Sequence, residues 1–269
     1  MSSSTALLPK QGSTKKDDHP IFLRVCHSPW VGIGQKSLVG LRTLTSTYLL
    51  VSGGMIIDYE IKKNKHGWLT AFEFSNVAYA MLTLYQVMAA TWTFMHLHYP
   101  HHRTAPRSMA TRMQSFLSPP RQHESTKNRT WFSIFYTAAT TFPHLATLIY
   151  WALLIPMHKT IIPGNEITGH GWFREFFVVN KFAIASFIAF VEVFIFSSIR
   201  RQTPVAAHIA GITFLAIVYQ FYAYIGHEVT EKYAYFYLDH KKIGWQNTYG
   251  YIAAFVVAAN FCMLFFQIF

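Results

Sequence analysis

Charge is what this chain has least of. Only 13% of its 269 residues are Asp, Glu, Lys or Arg, against about 25% in ordinary soluble domains. Acidic residues are the scarcer half, 12 against 23 Lys and Arg, leaving a formal net charge of +11. Cysteine is nearly missing as well. Cys26 and Cys262 are the only two, which excludes a disulfide framework. Cys26, beside Arg24 and His27, reads as an ordinary buried thiol, with palmitoylation as the alternative. The first 19 residues are polar, and the short stretch at residues 6–9 is no signal-peptide core. The chain has no G-x-S-x-G elbow, no Walker A loop, no H-E-x-x-H motif and no internal repeat.

Apolar sequence fills the space. Hydrophobic residues make up 52% of the chain and aromatic ones 17%. Six apolar stretches, at about 38–58, 68–95, 131–157, 173–199, 205–226 and 248–269, each reach the roughly 20 residues a membrane helix needs. This predicts an all-α, polytopic transmembrane bundle of six helices spanning 37–269 as one membrane domain. Residues 1–36 read as a cytosolic tail followed by an interfacial segment, broken by Pro29, Gly32 and Gly34. The basic residues sit in short loops beside the spans, a placement set by topology and anionic headgroups rather than by nucleic acid. Counted by side, fourteen Lys and Arg fall with the N-terminus and eight opposite, so both termini are expected in the cytosol. With no signal peptide, insertion would use the first span, and the endoplasmic reticulum or another endomembrane is the expected address. The sequon at Asn128 is then cytosolic and silent. Residues 96–130, with four prolines and six basic residues, read as a flexible cytosolic connection near lipid headgroups. Residues 227–247 read as a headgroup-level aromatic belt.

Ionisable groups inside spans mark candidate sites, since each costs about 2.5–3.5 kcal/mol on insertion scales unless paired or hydrated. Glu73 and Lys181 lie at similar depth from the non-cytosolic end, so they can form a buried ion pair or read a lipid headgroup. Glu192 lies nearer the cytosolic end, with Arg200, Arg201 and His208 as conceivable partners. The His98-Tyr-Pro-His101-His102 run, preceded by His96, has the spacing of one histidine box of a di-iron oxidase. Such enzymes need several boxes, and Pro100 interrupts the helix that would carry this one. It reads as a solvated interfacial cluster. His227, Glu228, Glu231, Asp239 and His240 lack metal spacing, so no metal and no cofactor is expected.

Several short segments carry a resemblance. Trp68-Leu69-Thr70 opens the second span, and Leu148-Ile149-Tyr150-Trp151 with Leu154-Ile155-Pro156 closes the third. Phe187-Ile188-Ala189-Phe190-Val191-Glu192 lies in the fourth, followed by Phe221-Tyr222-Ala223-Tyr224 and the aromatic stretch 233–238 with Asp239. In their order and spacing, over roughly 36–269, these resemble the androgen-induced and androgen-dependent family of six-span membrane proteins, including its fungal members. The resemblance implies a hydrolase that cleaves esters between a fatty acid and a hydroxy fatty acid. Its proposed nucleophile, a Thr, falls on Thr70, and a hydroxyl becomes nucleophilic when an imidazole accepts its proton. The family's histidine, ten residues before the acidic position, falls on Phe182, which takes no proton. His66 and His170 are the candidate substitute bases, while His144 lies too deep. Three readings follow: a Thr70 lipid-ester hydrolase acting on a branched fatty acid ester, a non-catalytic relative binding a lipid or membrane partner near Glu73 and Lys181, and a histidine-box oxidase.

Overall fold

The computed structural model describes residues 21–62, 67–99, 109–120, 126–160, 172–199 and 204–268. All regular structure among them is helical. Four short helices, α1 (Ile21–Val25), α3 (Leu69–Phe72), α5 (Met109–Leu117) and α9 (His240–Ile243), punctuate six long ones. The long ones are α2 (Gln35–Lys62), α4 (Phe74–His98), α6 (Thr126–Leu148), α7 (Trp172–Phe196), α8 (Val205–Thr230) and α10 (Trp245–Ile268). They coincide with the six apolar stretches of the sequence. α7, α8 and α10 are long and apolar enough to cross a membrane, and the protein is therefore membrane-embedded.

α2, α4 and α6 carry more hydroxyl side chains, and those hydroxyls turn back onto their own helices. Thr93 Oγ1 donates to Ala89 O at 2.6 Å, Thr137 Oγ1 to Ser133 O at 2.9 Å and Ser52 Oγ to Tyr48 O at 2.5 Å. Each such bond satisfies a polar group locally, so that it does not stand bare in an apolar interior. The main core gathers around Phe74, whose ring lies 5.2 Å from Phe142, 4.9 Å from Tyr219 and 4.9 Å from Phe255. A second core joins Phe22, Val25 and Cys26 to Tyr85, Trp92 and Phe132. The segment expected to rest at the interface is thus anchored: Phe22 packs 5.1 Å from Phe132 and 5.8 Å from Trp92. Cys26 is buried beneath it.

Three local features differ from the sequence reading. The stretch 96–130 contains a helix, α5, because residues 109–117 hold neither Pro nor Gly and favour helix. The second stretch is broken at Glu73, whose backbone is extended (φ −71°, ψ 131°), so α3 and α4 are separate. Finally, α6 runs on into a π-helical turn at Ile149–Leu154, and α7 contains two more, at Asn180–Ile184 and Glu192–Phe196.

Glu192 is fully buried and its partner is not the expected one. Arg42 of α2 reaches it, Nη2 to Oε1 at 2.7 Å, with both side chains fully buried. Tyr85 donates to Oε1 at 2.7 Å and Gln86 to Oε2 at 3.1 Å. Arg42 also donates to Thr93 Oγ1 at 3.0 Å and to Phe196 O at 3.2 Å. His208 is engaged elsewhere, with Ser133 at 2.7 Å, while Arg200 and Arg201 lie outside the described residues. Sequence proximity suggested the wrong partner because packing brings α2 against α4 and α7. Removing one member of a buried pair strands the other, at about 3–5 kcal/mol. Arg42→Met is therefore expected to lower the thermal melting point of the detergent-solubilised protein markedly. Arg42→Met combined with Glu192→Leu should restore most of the loss.

Candidate functional site

The site forms where the ends of α2, α4, α6 and α7 meet the segment after α8. α2 contributes Glu60 near its C-terminus. The α3–α4 junction contributes Glu73 and Asn76, and the first π-turn of α7 contributes Lys181 and Phe182. Lys181 Nζ donates to Glu73 Oε2 at 2.9 Å and is also hydrogen-bonded to Glu60 Oε1. Asn76 Nδ2 donates to Glu60 Oε2 at 2.6 Å and to Thr70 O at 2.8 Å. All three ionisable side chains are buried. The ammonium also lies 5.2 Å from the Phe177 ring and 5.5 Å from that of Phe182, a cation–π contribution that strengthens when water is excluded.

A cavity of about 680 Å³ opens beside this cluster. Leu69, Tyr150, Leu154, Phe177 and Phe182 form an apolar wall, Glu73 and Ser75 a polar patch, and Lys159, Lys232, Lys241 and Lys242 approach from the outside. Phe182 stacks on Tyr150 with ring centroids 3.8 Å apart and planes 8° from parallel. The Tyr150 hydroxyl is buried and has no hydrogen-bond partner among the described residues. His227 lines the cavity too, stacked on Tyr233 at 3.7 Å. Asp239 bonds Lys242 at 3.0 Å, and that hydrogen bond holds its carboxyl below the usual carboxylate range.

Of the residues singled out from sequence, Glu73 and Lys181 are in contact as a buried pair. Thr70 is buried close by, its hydroxyl without a partner among the described residues. Its neighbour Leu69 and Glu73 line the cavity, and so does Phe182, whereas Thr70 is absent from that lining. His66 and His170 lie outside the described residues. His144 accepts or donates at Ser186 Oγ, 2.5 Å away, and stacks on Phe266 at 3.7 Å. In the histidine run, His96 meets His27 edge-on at 5.0 Å, while His101 and His102 lie outside the described residues.

Sequence reasoning did not place Glu60 or Tyr150 at the site, and it weighed His227 only as a member of a possible metal-ligand set. Glu60 had one legible signal: it is an acid beside the basic run Lys62-Lys63-Asn64-Lys65, at the depth where Glu73 and Lys181 were already placed. Tyr150 had none, because the π-turn that carries it cannot be read from residue type.

The backbone break that sets Glu73 is held from α8. Tyr219 Oη donates to Phe72 O at 3.0 Å and Tyr222 Oη to Ala71 O at 3.2 Å, replacing helical bonds lost at the break. The Phe72 ring lies directly against Gly226, where a Cβ would overlap it. No protein-family model, no curated protein and no solved structure matches this chain.

Chemically, the cavity offers an aromatic surface for hydrocarbon and a cationic approach, with the unsatisfied Tyr150 hydroxyl buried in its wall. That combination suits an amphiphile with oxygen acceptors at its head. Since overpacking costs about 1–3 kcal/mol, Gly226→Ala should lower the melting temperature by displacing α3. Phe72→Ala in the same chain, which removes the Cγ and Cδ1 atoms that crowd position 226, should recover part of that loss.

Proposed function

We propose that this protein is a six-span membrane protein of the endoplasmic reticulum or another endomembrane, with both termini in the cytosol, that holds a membrane lipid in the cavity beside Lys181. The observation that carries this reading is the Tyr150 hydroxyl: buried at the wall of a 680 Å³ space and without a partner among the described residues. An unsatisfied buried hydroxyl costs free energy, about 1–3 kcal/mol, and a ligand oxygen would offset that cost. The rings of Phe177 and Phe182 would flank the chain of the lipid, and the lysines at the mouth would meet its headgroup. In this role the Glu60–Lys181–Glu73 cluster is a rigid floor. It fixes three helix ends and thereby the shape of the cavity.

A hydrolytic reading is favoured by a different observation, the buried and unpartnered hydroxyl of Thr70. It agrees with the resemblance to the androgen-induced family and its hydroxy fatty acid esters. In this reading Thr70 Oγ1 attacks the ester carbonyl and its proton passes to a base supplied by His66 or His170. The base returns that proton to the hydroxy fatty acid as the ester C–O bond breaks, and water then releases the fatty acid from Thr70. Against it stands Phe182, which fills the position assigned to the histidine and stacks on Tyr150 instead. Loss of a general base removes about 10²–10⁴-fold of rate.

Two measurements separate these readings. Native mass spectrometry of the purified protein should find a bound acyl lipid. Tyr150→Phe should weaken that binding, Phe182→Ala should alter which chain lengths are retained, and Thr70→Ala should leave the lipid in place. If Tyr150→Phe retains lipid as the parent does, the cavity assignment fails. On the hydrolytic reading a fluorophosphonate probe labels the protein, and Thr70→Ala abolishes that labelling together with release of fatty acid from a branched ester.

A further inference from the structure

At the opposite end of the bundle from the cavity, α5 leaves a row of large apolar side chains uncovered. Met109 is 77% exposed, Met113 61% and Phe116 86%, with Leu117 also exposed. Positions 109, 113, 116 and 117 follow the i, i+4, i+7, i+8 spacing of one helical face. Arg112 is exposed on the flank of that face, where a long cationic side chain can reach outward while its stem covers apolar surface. Ser118, just past the helix, is buried, its hydroxyl bonded to Gln114 O at 2.6 Å. A nine-residue helix with an apolar stripe of this kind does not stay in water on its own account.

Charge indicates what covers it. In sequence, residues 99–130 carry Arg103, Arg107, Arg112, Arg121, Lys127 and Arg129 against the single acid Glu124. Among the described residues at this end, Arg24 and Lys36 add to it, and the buried Glu192 is paired with Arg42. The cavity end is balanced by comparison. Among the described residues there, Lys62, Lys159, Arg174, Lys232, Lys241 and Lys242 are matched by Asp58, Glu175, Glu228, Glu231 and Asp239. One end of the molecule is thus cationic, with an apolar helix face lying within that cationic region.

We propose that α5 is an interfacial helix that docks on the anionic leaflet of the membrane in which the protein sits. Met109, Met113 and Phe116 enter the headgroup–acyl boundary, and Arg112 engages the acidic headgroups. The proposal rests on α4 crossing the bilayer, which brings its last residue, His98, to the surface where α5 begins. Binding of this type combines buried apolar area with attraction to acidic lipid, and so depends on lipid composition. The occupant is the bilayer surface itself, not a lipid held in the cavity.

The test uses the full chain reconstituted in vesicles of phosphatidylcholine alone or mixed with phosphatidylserine. The variant Met113→Cys is labelled with an environment-sensitive fluorophore, the two native thiols being buried. In the mixed vesicles the emission should shift to the blue and be quenched by lipid brominated near the top of its acyl chain. In phosphatidylcholine alone, or with Arg112→Glu, quenching should fall severalfold. Water-like emission in both vesicle types overturns the proposal. So does blue-shifted emission that bromolipid leaves untouched but that transfers energy between labelled copies, which would put a second copy on this face. Quenching indifferent to phosphatidylserine and to Arg112→Glu overturns the anionic preference. A label at Phe94→Cys, on the exposed side of α4, reports separately on the span: if it is water-accessible, the six-span reading fails, and that failure is read independently of α5.

Discussion

Lys181 carries its charge inside an apolar bundle, and three helix ends are arranged to keep it paired. An ammonium cannot stand alone in such surroundings, because its desolvation far exceeds any single contact. Glu60 brings in the end of α2, Glu73 the start of α4, and the first π-turn of α7 supplies the lysine itself. Asn76 then links Glu60 to the backbone of Thr70, so α3 is drawn into the same arrangement. The cavity wall follows from this: Phe177 and Phe182 lie beside the ammonium, and Tyr150 lies against Phe182. Near the other end Arg42 and Glu192 tie α2 to α7 again. α2 and α7 are thus joined by a charged contact at both ends, which fixes their relative tilt and leaves little freedom to slide.

These contacts fall in irregular backbone. Lys181 and Phe182 sit in one π-turn, Glu192 in another and Tyr150 in a third. Wider turns free carbonyl groups and re-aim side chains, and they occur often where side chains must converge on one point. The break at Glu73 works in the same direction. By leaving the helix for one residue, the chain directs that carboxylate inward, and tyrosines from α8 satisfy the carbonyls left behind.

Much of the architecture was legible from composition alone. The six apolar stretches coincide with the six long helices among the described residues, because length and apolarity are properties of residue type. The pairing of Glu73 with Lys181 was legible from depth, since both count to similar distances from the same side. Glu60 left only the weak signal of an acid beside a basic run, because it falls just past the apolar stretch and reads as part of a loop. The partner of Glu192 was sought among its sequence neighbours, and Arg42 stands 150 positions away. Which helix packs on which is a tertiary fact that periodicity does not contain. The helical nature of 109–117 was obscured by the prolines around it.

The π-turns also change how distances along the chain translate into positions around a helix. Each such turn holds one residue more than an α-turn, so counting between landmarks presumes a winding that α7 does not keep. Ten residues back from Glu192 is Phe182, but the interval runs into the turn at Asn180–Ile184. In an uninterrupted α-helix the same interval would turn Lys181 and Phe182 away from the faces they now occupy. The winding of α7, rather than the spacing of its residues, therefore decides which of these two side chains faces the carboxylates and which faces Tyr150.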